Sequence, residues 1–274
     1  MTALQAVVLG IVQGLTEFLP ISSSGHLVLV PWILGWEFDP QIAFIFDVLV
    51  QWGTLLAVIA YFWSDLKAII IASISAIKRR TFYDDPESRL LVMILVASIP
   101  AFIAGMIIKP LVEGAFENPI AVSFFLLGNA LILALGERLG KRQRELGQLT
   151  IGDSIWVGLA QILALFPGIS RSGVTLSAGM TRDLKRLDSG RFSFLMAIPV
   201  MLGAGIIALV DLYSIGDANA FATPLLIGFV IAAIVGYLAI RWLLSFLVRH
   251  PLTVFAIYCA VVGLAGIVLG FLRG

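Results

Sequence analysis

Long apolar stretches alternate with short polar punctuation along the chain, and the lengths of those stretches predict its elements. A helix needs about 20 apolar residues to cross roughly 30 Å of hydrocarbon. Five charge-free runs are long enough: residues 90–108, 118–136, 192–210, 218–240 and 251–272. A sixth, 42–63, qualifies apart from Asp47. The run 66–77 is too short and leads into Lys78, Arg79 and Arg80, so it reads as an interfacial helix or an extension of its neighbour.

Two further apolar stretches break before they can span. Residues 2–19 stop at Pro20, and the return leg from His26 ends in the turn-like LGWEFDP near residue 36. Residues 155–166 stop at Pro167-Gly168, and the return leg 173–180 soon meets Arg182. Short legs joined by serine- and glycine-rich loops read as re-entrant hairpins. Non-helical backbone at membrane depth is tolerated only where protein or a wet cavity satisfies it. The two breaks are also copies of one another. QGLTEFLPISSSG (13–25) aligns with QILALFPGISRSG (161–173) without a gap at an offset of 148 residues, so Gln13 falls on Gln161, Ser22 on Ser170, Ser24 on Ser172 and Gly25 on Gly173.

Composition agrees with the pattern. Of 274 residues, 60% are hydrophobic and 13% charged, with a mean hydropathy of +1.04, where a soluble domain would carry roughly a quarter charged residues. The net charge of +1 argues neither for nucleic acid nor for a strongly acidic partner, and no nucleic acid is expected. The lone Cys259 cannot form an internal disulfide and reads as a packing residue. There is no Lys or Arg before Lys67, so the N-terminus lacks the basic region of a secretory signal and reads as mature structure from Met1.

Charge placement sets a topology. Lys and Arg cluster in segments 64–90, 137–150 and 181–191, with Arg241 and Arg249 near the last turn, while 109–117 and 211–217 hold one lysine between them. With the basic segments inside, the first hairpin enters and leaves from outside and the second from inside. The expected fold is therefore an all-α integral membrane protein with an inverted-topology repeat, each half a re-entrant helical hairpin plus about three transmembrane helices. Residues 1–149 form the first half and 150–274 the second, in one membrane domain spanning 1–274.

The copies differ where chemistry would lie. Glu17 faces Leu165 in the alignment, Ser23 faces Arg171, and His26 faces Val174. One half carries an acid, a hydroxyl and an imidazole; the other carries the cation. Arginine offers a planar bidentate fork that suits phosphate oxygens, and serine- and glycine-rich helix starts offer backbone N–H groups to the same anion. Ser22, Ser24, Ser170, Ser172 and Gly173 are thus candidate phosphate-binding positions beside Arg171. Some of the serines also suit helix caps. Glu17, with Gln13 one turn earlier, is a candidate site for a divalent cation, Mg or Ca, or simply the polar face of a wet cleft. His26 reads equally as a base, a nucleophile or a structural residue. Asp47, with Gln51 one turn later, is a candidate for lining the same cavity, and pairing with a cationic group is an equal alternative.

QGLTEFLPISSSGH and PGISRSG also resemble the two signature motifs of the undecaprenyl-pyrophosphate phosphatase family of the bacitracin-resistance type. The resemblance extends through FDVLVQWGTLLAV (46–58) and RFSFLMAIP (191–199) and covers essentially the whole chain. It implies hydrolysis of the terminal phosphate of a polyprenyl diphosphate at the outer side of the cytoplasmic membrane, with a divalent cation. It also implies that Glu17, Ser23, His26 and Arg171 form the catalytic set. Gln13 is a variant that this family's pattern permits where other members carry Glu, which makes it a helper of Glu17. The implied partners are the lipid substrate and the surrounding lipids, and a homodimer is a compatible assembly. The rival readings are a lipid-phosphate flippase, alone or as a second role, and a structural membrane protein.

Overall fold

The computed structural model describes residues 1–80, 83–116, 118–213 and 222–273. These fold into eleven α-helices: α1 (Ala3–Phe18), α2 (Ser23–Leu34), α3 (Pro40–Tyr61), α4 (Trp63–Arg79), α5 (Pro86–Phe116), α6 (Pro119–Leu139), α7 (Ile151–Gln161), α8 (Arg171–Thr181), α9 (Arg186–Tyr213), α10 (Ala222–Arg249) and α11 (Thr253–Arg273). Among the described residues, six helices are long and apolar enough to cross a membrane: α3, α5, α6, α9, α10 and α11. They match the six apolar runs read from the sequence to within two residues where a run overhangs its helix, apart from residues 218–221, which lie outside the described segments. The protein is an all-α, multi-pass membrane protein.

Hydropathy marks where lipid ends, whereas helical hydrogen bonding ends at caps and breakers, so the helices outrun the runs. α5 continues to Phe116, making most of the expected loop 109–117 helical. α9 begins at Arg186, inside the expected loop 181–191. α10 continues to Arg249, just before His250-Pro251, where proline restricts the residue ahead of it. The run 66–77 becomes a separate helix, α4, because the backbone departs from helical geometry at Phe62 (φ −95°, ψ 20°).

Each hairpin follows from its local chemistry. α1 starts with a capping box, in which the Thr2 hydroxyl accepts from Gln5 N–H and the Thr2 N–H donates to Gln5 Oε1. It ends at extended Leu19, ahead of Pro20. Ser22 caps α2, and Gly35 ends it in the left-handed conformation (φ +65°). α7 has its own capping box, Thr150 with Asp153. It runs into a 3₁₀ turn, Ile162–Leu165, one helical turn earlier than the sequence indicates.

Small residues bring the helices together. A Cβ on Gly10 of α1 would sit 2.9 Å from the Gly228 carbonyl of α10, and one on Gly158 of α7 would sit 2.5 Å from the Ala97 carbonyl of α5. In lipid, such close backbone approach replaces the hydrophobic drive that water would supply. α10 also packs on α3, α5 on α9, and α6 on α11. The core beneath the hairpin tips is aromatic, with Phe18 and Phe194 edge to face at 5.4 Å and Phe62 against Phe194.

The open ends of the two hairpins meet opposite ends of α6. Arg273, at the end of α11, donates to the Trp32 and Ile33 carbonyls of α2, and Arg273 and Trp32 share a depression with Asn118 and Pro119 at the start of α6. At the other end of α6, Glu137 accepts from Arg186 and from Leu252 N–H. There Asp153 of α7 pairs with Arg144 and Arg182. α6 has 21 residues, so these ends lie about 31 Å apart.

Candidate active site

The hairpin tips interlock. Ser22 sits at φ +73°, and its Oγ accepts from Gly25 N–H at 3.2 Å and, across the interface, from Gly168 N–H at 3.1 Å. In return, Ser172 Oγ of α8 donates to the Leu19 carbonyl at 3.2 Å. Asn129 of α6 bridges both tips, with Nδ2 donating to the Pro20 carbonyl at 2.9 Å and Oδ1 accepting from Ser170 N–H at 3.1 Å. A Cβ on Gly168 (φ +104°) would sit 2.4 Å from the Val122 carbonyl, so that position needs glycine on both counts.

Both inner helices therefore begin at the same place. The capping hydroxyls of Ser22 and Ser170 take the third amide of their own helices, those of Gly25 and Gly173. The first two amides of each helix are left without an intrahelical acceptor. Such paired helix starts favour an anion.

The charges meet here as well. Glu17 Oε1 accepts from Arg171 Nη2 at 2.7 Å, and Glu17 Oε2 accepts from Ser23 Oγ at 2.6 Å and Gln13 Nε2 at 3.1 Å. One carboxylate, 9% exposed, thus joins the hydroxyl of its own half to the cation of the other. A cavity of about 340 Å³ opens beside them, lined by Glu17, Ser22, Ser23, Ser24, Ser170, Arg171 and Gln51, among others. Val200, Met201 and Ala204 of α9 supply an apolar wall.

Besides those of Gln161, two polar atoms at this place are buried without a hydrogen-bond partner from the described residues: Gln13 Oε1 and Arg171 Nη1. Gln161 itself has both side-chain atoms in that condition. Each such atom costs about 1–3 kcal/mol, a penalty a protein sustains where a ligand satisfies it. No group of three His, Cys, Asp or Glu with metal-binding geometry exists among the described residues. Glu17 and Gln13 Oε1 are the acceptors at this place that could hold a hard cation.

The structure separates the remaining candidates. His26 is buried and is not among the cavity-lining residues. Its Nδ1 lies 2.7 Å from the Ser22 carbonyl, which can only accept, so Nδ1 carries the proton. Nε2 of the neutral ring then accepts from the Tyr258 hydroxyl at 2.8 Å. Asp47 is likewise not among the lining residues, whereas Gln51 is. Gly173 N–H is taken by Ser170, and Ser24 lies 3.3 Å from Ser22 Oγ. Cys259 is fully buried, with its Sγ 3.3 Å from Asn129 Nδ2.

Asn129, Tyr258 and Gln161 escaped the sequence reading. The repeat alignment, which sets Gln161 on Gln13, carried a signal for the last; the other two lie in plain apolar runs.

The family model described as "Bacitracin resistance protein BacA" matches residues 6–265. Proteins named undecaprenyl-diphosphatase align over nearly the whole chain. That of Trichormus variabilis is 45% identical over 269 residues, 97% of this chain and 83% of its own. That of Methanobrevibacter smithii is 40% identical over 272 residues, 96% of each chain, and that of Desulforudis audaxviator is 37% identical over 274 residues, all of both. With its paired hairpins, their tips and nearly every residue in between inside that match, the chain belongs to the bacitracin resistance protein BacA family.

Proposed function

We propose that the protein is a polyprenyl diphosphate phosphatase, acting on undecaprenyl diphosphate to release inorganic phosphate and leave the lipid monophosphate carrier of cell-wall synthesis. The observation that carries this is the Glu17 carboxylate held between Ser23 and Arg171, in a family whose relatives bear the name undecaprenyl-diphosphatase.

The reaction follows from the side chains. Arg171 binds the diphosphate, joined by the free amides at the starts of α2 and α8. Ser23 Oγ attacks the terminal phosphorus while Glu17 takes its proton. The bond from phosphorus to the bridging oxygen breaks, and the lipid monophosphate leaves. Water then attacks the phosphoserine, the bond from phosphorus to Oγ breaks, and Glu17 returns a proton to Ser23. Most of the catalysis is positioning and charge stabilisation, as is usual in phosphoryl transfer. Both nitrogens of His26 are engaged, which favours Ser23 as the nucleophile. A divalent cation, Mg or Ca, held by Glu17 and Gln13, would supply further neutralisation of the diphosphate.

The two halves form an inverted-topology repeat, 1–149 and 150–274. Three observations support it: the hairpins open toward opposite ends of α6, the α1–α10 contact has its counterpart in α7–α5, and Gly10 and Gly158, 148 residues apart, make matching close approaches. The Lys- and Arg-rich segments gather at the end of α6 that faces the second hairpin, which supports the orientation with that end in the cytoplasm. The site then opens to the outer face of the cytoplasmic membrane. A transporter needs only binding groups, so the Ser23–Glu17 hydrogen bond favours hydrolysis over a flippase.

The test is phosphate release from undecaprenyl diphosphate by purified protein in detergent, with and without chelator. Wild-type protein should turn over, and Ser23→Ala should lose about 10³-fold or more. Chelation should lower the rate, and added Mg or Ca should restore it. No release from wild-type protein under any metal condition would sink the proposal.

A further inference from the structure

Gln161 has no part in the reaction just described, yet it stands on the wall of the same cavity. It ends α7, at the point where the helix tightens into the 3₁₀ turn. It is 2% exposed, and neither Oε1 nor Nε2 has a hydrogen-bond partner. No other described residue has both polar side-chain atoms buried and unpartnered. Gln13, its counterpart in the repeat, is tied through Nε2 to Glu17 and, at 3.5 Å, to Thr54. Arg171, which lines the same cavity, carries an unpartnered buried atom of its own, Nη1.

A buried amide with donor and acceptor both vacant matches a ligand that presents an acceptor and a donor together. A phosphoryl oxygen satisfies Nε2, and the proton of a water satisfies Oε1. We infer that Gln161 is a substrate-contacting residue of the diphosphate site. Nε2 donates to a phosphoryl oxygen beside Arg171 Nη1, and Oε1 accepts from the water that enters for the hydrolytic step. The terminal torsion of glutamine is broad, so the amide turns toward the cavity without backbone movement. This inference rests on the phosphatase reading and extends the substrate site to α7, a helix that contributes nothing else to it.

Gln161→Leu removes both polar atoms at nearly constant volume, and Gln161→Glu keeps the size but replaces the donor with an acceptor. The measurements are steady-state kinetics on undecaprenyl diphosphate, affinity for a non-hydrolysable polyprenyl methylenebisphosphonate, and thermal unfolding in detergent without ligand. For Gln161→Leu, kcat/KM should fall about 10- to 100-fold, and the bisphosphonate should bind at least about tenfold more weakly. Its unfolding temperature should equal or exceed that of wild type, because two unsatisfied buried atoms are gone. Gln161→Glu should bind the bisphosphonate more weakly still, since a carboxylate there repels the diphosphate.

Wild-type affinity and turnover in Gln161→Leu would overturn the inference. So would a lowered unfolding temperature with unchanged bisphosphonate affinity, which marks a packing residue. Either result leaves wild-type phosphate release intact and the phosphatase reading standing, whereas wild-type protein that releases no phosphate removes that reading itself.

Discussion

At the scale of single residues, the site depends on one carboxylate with three donors. Removing Arg171 leaves the Glu17 charge buried and uncompensated, which typically costs about 3–5 kcal/mol. Arg171→Ala should therefore lose fold stability as well as turnover, and a thermal melt will show it. Arg171→Lys keeps the charge but loses the two-pronged geometry. It should melt near wild type while its kcat/KM falls about 10²-fold or more. Ser22 makes a separate demand. Its hydroxyl satisfies amides of both hairpins, and its φ of +73° is strained for any residue with a Cβ. Ser22→Ala should lose about 2 kcal/mol, and Ser22→Gly, which loses the same hydrogen bonds without the strain, should lose less. His26→Gln should reduce turnover less than Ser23→Ala in the phosphate-release assay, because His26 holds α2 against α11 through Tyr258 rather than reaching the cavity.

At the scale of elements, the hairpins were legible because proline breaks, serine caps and a gapless repeat are local signals. Glu17, Ser23 and Arg171 stood out in the sequence for the same reason, since a charge or a serine cluster in apolar sequence has few packing rationales, and the structure brings the three side chains together. What stayed hidden was long-range or neutral. Tyr258 lies 232 residues from the His26 it bonds, and Asn129 sits in an apolar run like any small polar residue. Helix ends were also misread, as at α5 and α9, since hydropathy reports lipid rather than caps. Contacts between helices have their own test. A Cβ on Gly14 would meet Val235 Cβ at 2.7 Å and Gly236 N at 2.9 Å. Gly14→Leu should force α1 off α10 and lower the unfolding temperature, with turnover lost as Glu17 moves along with the helix.

At the scale of the whole molecule, the basic end is a network rather than a set of loops. Asp153 is buried, which would raise its pKa, but hydrogen bonds from Arg144, Arg182 and Thr150 hold its carboxyl well below the ordinary range. A depressed folded value adds stability that is complete above the ordinary aspartate pKa of about 3.9. That stability drains away as pH falls below it. Asp153→Asn should thus narrow its gap to wild type as unfolding is measured at progressively lower pH. The orientation is open to a direct check with single cysteines at Gly114 and Gly147, in a background lacking Cys259, since a Cβ at either glycine meets nothing within 4 Å. Gly114→Cys should react from the outer side and Gly147→Cys from the cytoplasmic side.

The crossed hydrogen bonds between the hairpin tips bear on biosynthesis. Gly168 N–H satisfies Ser22, and Ser172 satisfies the Leu19 carbonyl, so the first hairpin cannot close until the ribosome has delivered the second, some 150 residues later. At 5–20 residues per second, the nascent first half waits on the order of ten seconds with the Leu19 carbonyl lacking its Ser172 partner. Its survival through that interval depends on water or an insertion chaperone, and variants at the tips should show themselves first as poor yield in the membrane.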